Sequence, residues 1–397
     1  MDYIRDSKLK ELVLEKHDYT LKTRRYLHMH PEIGLKEYET CKLIRKELDE
    51  AGIEWIEAGE TGTIGIINGY EDNDDILVLR GDIDALNIEE LSDVEFKSLN
   101  KGLMHACGHD AHTATLLSAG KILKEKYEGK FKGKIYLLFQ PGEETAQGAK
   151  SVIATGVLDN VNTFYGQHVW SYLDIGKVAT RKGSFMSGAK IFNIVVKGKS
   201  GHGSALEKTK NPIVPASAIV LALQSIISNN ISALDTGVVC VGGISGGNQF
   251  NAICEECKII GTTRYMSKEM DVELCRRIED IAVNTAKAYD CEATVTYGGS
   301  ISALTTDDKL TEKVVNAYSK VVGAEDVEEW KLELGSEDFA EYTNIAPCVY
   351  GFIGCKNDSI NANKTHHNAS FKIDEDCLDI CVATYVQFAK DYYNIKD

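Results

Sequence analysis

The segment MHACGHDAHTATLL, residues 104–117, concentrates side chains that can do chemistry. It contains Cys107, His105, His109 and His112, which are one of the chain's 11 cysteines and three of its 10 histidines. A thiol beside imidazoles can act as a redox centre, as a nucleophile activated by a histidine, or as a group of metal ligands. Alternatively, the segment could be an ordinary polar loop before a helix, without any of these functions. Residues elsewhere in the chain decide between these interpretations.

Other acidic and imidazole side chains follow predicted strands. A continuous apolar run predicts each strand, and the polar residues come at or just after its carboxyl end. They are Asp82 and Asp84 in DILVLRGDI and the residue after it, Glu143 and Glu144 after KIYLLFQP, His168 in TFYGQHVW, and His366 and His367 after CVYGFIG. Because ligands bind beyond the carboxyl ends of the strands in open α/β sheets, we expect these residues to converge on one rim.

The converging groups are a thiol, imidazoles and carboxylates, which together form a mixed sulfur, nitrogen and oxygen ligand set. The sequence therefore predicts a metal site. The adjacent pair Glu143 and Glu144 adds a function, because one carboxylate can bind metal while the other takes a proton from a metal-bound water. An exposed acidic turn would explain this pair alone, but not its position beside the other motifs.

The order of the predicted elements indicates a fold in two parts. Strands and helices alternate up to about Gly183, which favours an α/β domain with a mostly parallel sheet covered by helices. The following segment predicts the order β-α-β-β-α-β, which is typical of a ferredoxin-like α+β domain. Alternation resumes after about Ser300. The predicted catalytic domain therefore comprises residues 1–183 and 300–397, and residues 184–299 form an inserted lid or dimerisation domain.

The overall composition limits the class of protein. The 397 residues are enough for two domains, and 43% of them are hydrophobic. The net charge of −16 argues against a nucleic-acid partner, and no apolar run reaches the roughly 20 residues that a membrane span needs. The charged N-terminal segment has no apolar signal core. We therefore expect a cytoplasmic protein with no nucleic-acid partner and no membrane partner.

The motifs together resemble those of one enzyme family. The sequence is similar to the metal-dependent amidohydrolases of the aminoacylase and carboxypeptidase superfamily. The branch it resembles holds hippurate hydrolases, indole-acetyl-amino-acid hydrolases and N-acetyl-diaminopimelate deacetylases. The matching motifs span nearly the whole chain: RRYLHMHPEIGLKEYET, LRGDIDAL, MHACGHDAHTATLL, FQPGEET, GQHVW, GHGS, NQFNAI, GTTRY, GSEDFA and HHNASF.

The resemblance implies two divalent metal ions (Zn, Mn, Ni or Co) and a set of ligands for them. The residues at the family's ligand positions are Cys107, His109, Glu144, His168 and His367. Glu143 matches the general base, and Asp84 matches an aspartate that orients a ligand. The neighbouring polar residues Asp82, His105, Asp110, His112 and His366 are expected to surround the ligands rather than to bind metal.

The resemblance also assigns three residues of the inserted domain. His202 is expected to stabilise the oxyanion at the scissile carbonyl, in its own subunit or in a partner's. Asn251 and Arg264 are expected near the substrate carboxylate, to which an arginine can donate two hydrogen bonds. The implied reaction hydrolyses an N-acyl amino acid (N-acetyl, N-benzoyl or related) to a carboxylic acid and a free amino acid. The inserted domain is also a candidate surface for a homodimer or homo-oligomer.

Three alternatives stay open. A dipeptidase or aminopeptidase of the same superfamily would need a site for a free α-amino group. A cysteine hydrolase with Cys107 as its nucleophile would keep its activity after metal chelation and lose it to a thiol reagent. A non-catalytic small-molecule-binding protein on the same scaffold would have no need for a base such as Glu143.

Overall fold

The chain divides into two units, each with its own core. The computed structural model describes residues 3–396, with the backbone alone for residues 72–74. Met186–Leu304 and Leu332–Ala340 form the second unit. The first unit contains the chain up to Phe185, then Thr305–Lys331, and the chain from Glu341 onward.

Several helices begin at capping residues that the sequence supplies. In chain order the α-helices are α1 Ser7–Met29, α2 Tyr38–Glu50, α3 His109–Tyr127, α4 Gly148–Ile153, α5 Ile213–Leu223, α6 Lys268–Ala288, α7 Asp308–Val322 and α8 Cys377–Tyr392. Asp6, Ser267 and Asp307 precede α1, α6 and α7, and each side chain accepts a hydrogen bond from a backbone N–H of the first turn. Among the described residues, no helix combines the length and the apolar character needed to cross a membrane.

The strands differ widely in length. In chain order they are β1 Glu54–Glu57, β2 Thr63–Asn68, β3 Glu71–Asp82, β4 Lys132–Gln140, β5 Thr163–Asp174, β6 Val178–Thr180, β7 Gly183–Met186, β8 Gly188–Lys197, β9 Gly201–His202, β10 Gly237–Gly246, β11 Ala252–Ile253, β12 Glu256–Tyr265, β13 Glu292–Ile301, β14 Leu304–Thr306, β15 Val327–Glu329 and β16 Cys348–Lys356.

An eight-stranded sheet forms the centre of the first unit, in the order β1-β2-β4-β3-β5-β16-β6-β15. The central strands β4, β3, β5 and β16 run parallel to one another. Antiparallel strands complete the edge next to β4, and β6 pairs antiparallel with β16 at the other side. Because the central strands are parallel, their carboxyl ends lie at the same edge of the sheet.

Apolar strands and helices fill the core of the first unit. Strand β16 is buried along almost its whole length, and β5 is buried from Thr163 to Ser171. Helix α3 contacts α1 and α8, and α8 also contacts α7. Most residues of α3 are buried, from His109 to Leu123. Packing on several sides therefore fixes the N-terminus of α3.

The second unit has the element order β8-α5-β10-β12-α6-β13. Its four strands form an antiparallel sheet in the order β10-β12-β8-β13. The apolar residues Phe192, Ile219 and Ile278 belong to the core that joins this sheet to α5 and α6. A separate short ladder pairs β9 with β11.

The predicted fold class is confirmed. The first unit carries a large, mostly parallel sheet, and the second is a sheet-rich insertion with the predicted β-α-β-β-α-β order. The roles given to the two parts, catalysis and lid or dimerisation, stay predictions.

Candidate metal centre

The five residues at the expected ligand positions lie in one cluster of the first unit, in which His109 and His168 are buried and His367 is exposed. Ligand-type atoms of Cys107, His109 and His168 lie within 4.8 Å of one another, as do those of Cys107, Glu144 and His367. The same limit holds for His109, Glu143 and Glu144. Because these groups share members, the structure brings together all five predicted ligands and the predicted base.

Gly108 determines the backbone conformation between Cys107 and His109. Gly108 has a φ of +96°, a backbone conformation that glycine adopts readily, and it precedes α3. A Cβ atom at this position would lie 2.5 Å from Cγ2 of Val169. The Cys-Gly-His sequence therefore lets α3 begin in close contact with β5 and places His109 as the first residue of the helix.

Asp84 orients the ring of His109. The Nδ1–H of His109 donates to the Asp84 backbone oxygen at 3.0 Å and to the Asp84 Oδ1 at 3.1 Å. Its Nε2 atom is buried and has no hydrogen-bond partner among the described residues. This is the arrangement of a metal-binding histidine, in which a second group holds one nitrogen and leaves the other for the metal.

The pair Glu143 and Glu144 forms a short 3-10 turn, Glu143–Thr145, just after β4. The turn follows Gly142, whose φ is +62°. Asp84 also supports this turn, because its Oδ2 accepts the backbone N–H of Glu144 at 3.0 Å. Oε1 of Glu144 lies 3.2 Å from Nε2 of His367. One aspartate thus fixes both His109 and Glu144.

Two further histidines approach the cluster, one from β5 and one from the loop that follows β16. His168 is on β5, and its Nδ1–H donates to the Val169 carbonyl at 2.6 Å. Its Nε2 lies 3.4 Å from Sγ of Cys107. His367 has a φ of +63°, and its backbone N–H donates to the Ala106 carbonyl at 2.8 Å. The loop around Cys107 therefore holds the backbone of the last predicted ligand.

The electrostatics of the cluster favour a cation. Burial lowers the pKa of His109, but the carboxylates of Asp82, Asp84 and Glu144 raise it more, to about 10. Burial, together with the charges of Glu144 and Glu143, raises the pKa of the Cys107 thiol. Carboxylates therefore make the cluster a place where positive charge is stabilised, which disfavours a free Cys107 thiolate as a nucleophile.

The cluster therefore passes a chemical test for divalent metal ions. It offers a sulfur atom, imidazole nitrogens and carboxylate oxygens, which are the donors that transition metals such as zinc accept. The unpartnered Nε2 of His109 is the clearest sign, since a buried polar atom normally has a partner.

Sequence reasoning missed a residue that supports the acidic turn. The buried carboxylate of Glu37 accepts the backbone N–H groups of Gly142 at 2.8 Å and Leu35 at 2.9 Å, and the hydroxyl of Thr61 at 2.6 Å. Burial raises its pKa. Glu37 lies in the motif RRYLHMHPEIGLKEYET, but nothing in the local sequence distinguishes it from an exposed acid at the start of a helix, so no local signal points to this contact.

The three residues predicted for the inserted domain lie in the second unit, and His202 does not belong to any of the clusters of ligand-type atoms among the described residues. His202 is exposed, and its Nδ1 lies 2.7 Å from Oγ of Ser204. The carbonyl of Asn251 accepts the N–H of Gly203 at 2.9 Å, so His202 and Asn251 lie on adjacent segments. Nη1 of Arg264 donates to Oγ1 of Thr262 at 2.7 Å.

Comparison with known proteins decides the family. The model of peptidase family M20/M25/M40 matches residues 78–391. The chain belongs to peptidase family M20/M25/M40. It is therefore a metal-dependent amidohydrolase, and both the resemblance and the enzyme class expected from the sequence are confirmed.

Individual M20 relatives have several substrates in their names. The chain is 35% identical to IAA-amino acid hydrolase ILR1-like 4 of Arabidopsis thaliana, over 94% of this chain and 86% of the relative. It is 32% identical to N-acetylcysteine deacetylase of Bacillus subtilis (strain 168), over 94% and 96% of the two chains. The crystal structure of the Bacillus subtilis YXEP protein, a dinuclear metal binding peptidase from the M20 family, superposes with a TM-score of 0.83. That chain is 29% identical, and the match covers 96% of this chain and 100% of the other.

Proposed function

We propose that this M20 enzyme hydrolyses the amide bond of N-acyl amino acids with the help of two divalent metal ions. The observation that carries the proposal is the single cluster of Cys107, His109, Glu144, His168 and His367, with Glu143 beside it. Two of the relatives are named for hydrolysing an amino acid conjugate or for removing an acetyl group from an amino acid. Both reactions release a free amino acid from an amide.

The five clustered residues would hold the metals. Cys107, which belongs to two of the groups of ligand-type atoms, would bind metal with its thiol deprotonated, as thiolate ligands are. Zn, Mn, Ni and Co all accept this donor set, and the proposal leaves the choice among them to measurement. When bound, the metals would lower the pKa of a water toward about 7 and polarise the scissile carbonyl.

Glu143 would act as the general base and then as the general acid. Its carboxylate would take a proton from the attacking water and later deliver it to the nitrogen of the departing amine. The position of Glu143 beside His109 and Glu144 in the cluster supports this role. Asp84 would not touch the substrate, because its oxygens are committed to His109 and to the N–H of Glu144.

Residues of the second unit would recognise the substrate. His202 would donate a hydrogen bond to the oxygen that becomes negative in the transition state. Arg264 and Asn251 would bind the carboxylate of the amino acid, with the guanidinium supplying parallel N–H donors. The cytoplasmic location and a homodimer or homo-oligomer formed through the inserted domain stay predictions.

The test is a substrate screen with metal-reconstituted protein. The protein is stripped with a chelator, loaded separately with Zn, Mn, Ni or Co, and assayed on N-acetyl, N-benzoyl and N-succinyl amino acids and on plain dipeptides. We expect kcat/KM for at least one N-acyl amino acid to exceed that for every dipeptide by roughly tenfold or more, the equivalent of one well-placed polar contact.

Each alternative gives a different result in this screen. Faster cleavage of dipeptides would identify a peptidase. Activity that survives chelation and is lost to a thiol reagent would identify Cys107 as a nucleophile. Tight binding of N-acyl amino acids without turnover, with any of the four metals, would identify a binding protein.

A further inference from the structure

Strand β5 extends past its neighbour on one side. The ladder between β3 and β5 ends at the pair Arg80 and Gly166, whereas β5 continues to Asp174 and remains paired with β16 on its other side. In a strand, successive backbone N–H groups point to alternate sides. Beyond Gly166, the N–H groups of β5 that point away from β16 therefore have no partner strand in the part of the chain that the structure describes.

Two histidine rings take the place of the missing strand. The N–H of Val169 donates to Nε2 of His112 at 2.9 Å. Two residues further along the same edge, the N–H of Ser171 donates to Nε2 of His366 at 3.1 Å. Both rings are therefore acceptors for the backbone of β5, the strand that carries His168.

These contacts determine the tautomer of His112. A backbone N–H can only donate, so Nε2 of His112 must present its lone pair, and the ring proton of a neutral imidazole is then on Nδ1. Nδ1 lies 2.5 Å from Oδ1 of Asp82, which accepts that proton's hydrogen bond. The other oxygen of Asp82 is held by Nη1 of Arg80 at 2.6 Å.

We propose that His112 is a positioning residue for the metal cluster and not a ligand. His112 is part of α3, the helix that begins at His109, and it accepts a hydrogen bond from Val169, the residue after His168 on β5. His112 therefore links the strand that carries His168 to the helix that carries His109. That same residue, Val169, accepts the Nδ1–H of His168 at 2.6 Å. If the hydrogen bond between Val169 and His112 were lost, neither the end of β5 nor the ring of His168 would be held in a fixed position.

A competing role for His112 is metal binding. Ligand-type atoms of Asp82, His109 and His112 lie within 4.8 Å of one another and form a possible cation site. Binding a metal through Nδ1 while Nε2 accepts from Val169 would require an imidazole with no proton on either nitrogen. Breaking the Val169 hydrogen bond to free Nε2 would leave a buried backbone N–H without a partner.

The first test measures the tautomer directly. Long-range ¹H–¹⁵N spectra of histidine-labelled protein without metal should show the proton of His112 on Nδ1. After loading with ¹¹³Cd²⁺, the ring nitrogens of His112 should show no coupling to cadmium. A proton on Nε2, or a cadmium coupling at His112, would overturn the proposal. The tautomer measurement needs no bound metal, so it stands even if the proposed amidohydrolase function fails.

The second test separates the two nitrogens of the ring by substitution. His112→Gln can place an amide oxygen near the position of Nε2 and so still accept from Val169, whereas His112→Asn is too short and can only replace the Nδ1 donor toward Asp82. Competition with a chromophoric chelator gives the Zn²⁺ affinity of each variant. We expect His112→Asn to lose about 10- to 100-fold in affinity, the range for groups that support a metal ligand, and His112→Gln to lose clearly less.

A control and a contrary outcome complete the second test. His30→Gln, at the end of α1, should keep the wild-type Zn²⁺ affinity. Equal losses in His112→Asn and His112→Gln, or a larger loss in His112→Gln, would contradict the role of the Val169 hydrogen bond. The inference rests on the proposed function only in treating His109 and His168 as ligands. If neither variant folds, the tautomer and cadmium spectra of the wild-type protein still decide the question.

Discussion

The two units hold their functional candidates in different ways. In the first unit, contacts between residues far apart in the sequence fix the cluster, such as that of His109 with Asp84 and that of Val169 with His112. In the second unit, His202 and Arg264 contact residues only two positions away, Ser204 and Thr262. Long-range contacts fix geometry before a ligand arrives, whereas side chains held by local contacts adjust to a ligand at small cost. This difference is what we would expect if the first unit binds metal and the second recognises the substrate, as proposed.

Removing the base should give the largest effect on activity. Glu143→Gln removes the proton acceptor and should lower kcat by about 10²- to 10⁴-fold. Because the five ligands remain, metal content measured by elemental analysis should not change. Glu144→Gln is the matched variant and should lower metal affinity itself. If Glu143→Gln kept wild-type kcat, a different residue of the cluster would be the base.

Removing a buried charge from the first unit should give the largest effect on stability. Nε of the buried Arg24 lies 2.9 Å from Oδ2 of the buried Asp110. Arg24→Met would leave that carboxylate without its main counter-charge, which typically costs about 3–5 kcal/mol. Thermal unfolding should show a clearly lower Tm. Arg276→Met removes an exposed charge from α6 of the second unit and should leave the Tm nearly unchanged. An equal decrease in Tm for Arg24→Met and Arg276→Met would contradict the prediction.

Substitutions at the recognition residues should change kinetics without changing metal binding. His202→Ala should lower kcat by about 10²- to 10³-fold, the effect of losing one oxyanion donor.

Arg264→Lys should raise KM roughly tenfold with little change in kcat, because one charged hydrogen bond to the substrate carboxylate is lost. Steady-state kinetics on the best N-acyl amino acid measure both. A loss of metal from either variant would show that these residues belong to the cluster after all.

The smallest expected effect concerns exposed charge in the second unit. Hydrogen bonds from Arg276, then from Arg277, lower the pKa of Glu273 to about 2. This pKa lies below the value of about 4.3 expected for a glutamate in the unfolded chain. Any contribution of Glu273 to the stability of the folded state is therefore fully present above about pH 4.3 and disappears as the pH falls toward 2. The Tm difference between wild type and Glu273→Gln should be small at pH 7 and smaller still at pH 3. A difference that grows on acidification would have the wrong sign.

Sequence patterns predicted the parts of this molecule that local rules control. Apolar runs located the central strands, and polar residues at their ends located the cluster, because parallel strands bring their carboxyl ends together. The resemblance then selected His367 over His366. The structure is consistent with that choice, since His367 has a ligand-type atom within 4.8 Å of those of Cys107 and Glu144, whereas Nε2 of His366 accepts the N–H of Ser171.

The supporting contacts could not be predicted in the same way. Glu37 and Gly142 meet only because two loops pack together, and His112 finds Val169 only because β3 ends before β5. The short strands β6 and β15, of three residues each, are too short to show a pattern of their own, and they form because β6 pairs with the long strand β16 and β15 then pairs with β6. Such features depend on tertiary geometry, which periodicity does not encode.

The position of β16 in the sheet has a consequence for biosynthesis. This strand lies between β5 and β6, yet the ribosome makes it only after all the strands and helices of the second unit. We expect the second unit to fold while the large sheet still has a gap, since domains generally fold as units during translation. His367 emerges later still, so a nascent or truncated chain lacks the last ligand. Limited proteolysis of chains stalled before residue 348 should leave the second unit resistant and the first unit degraded.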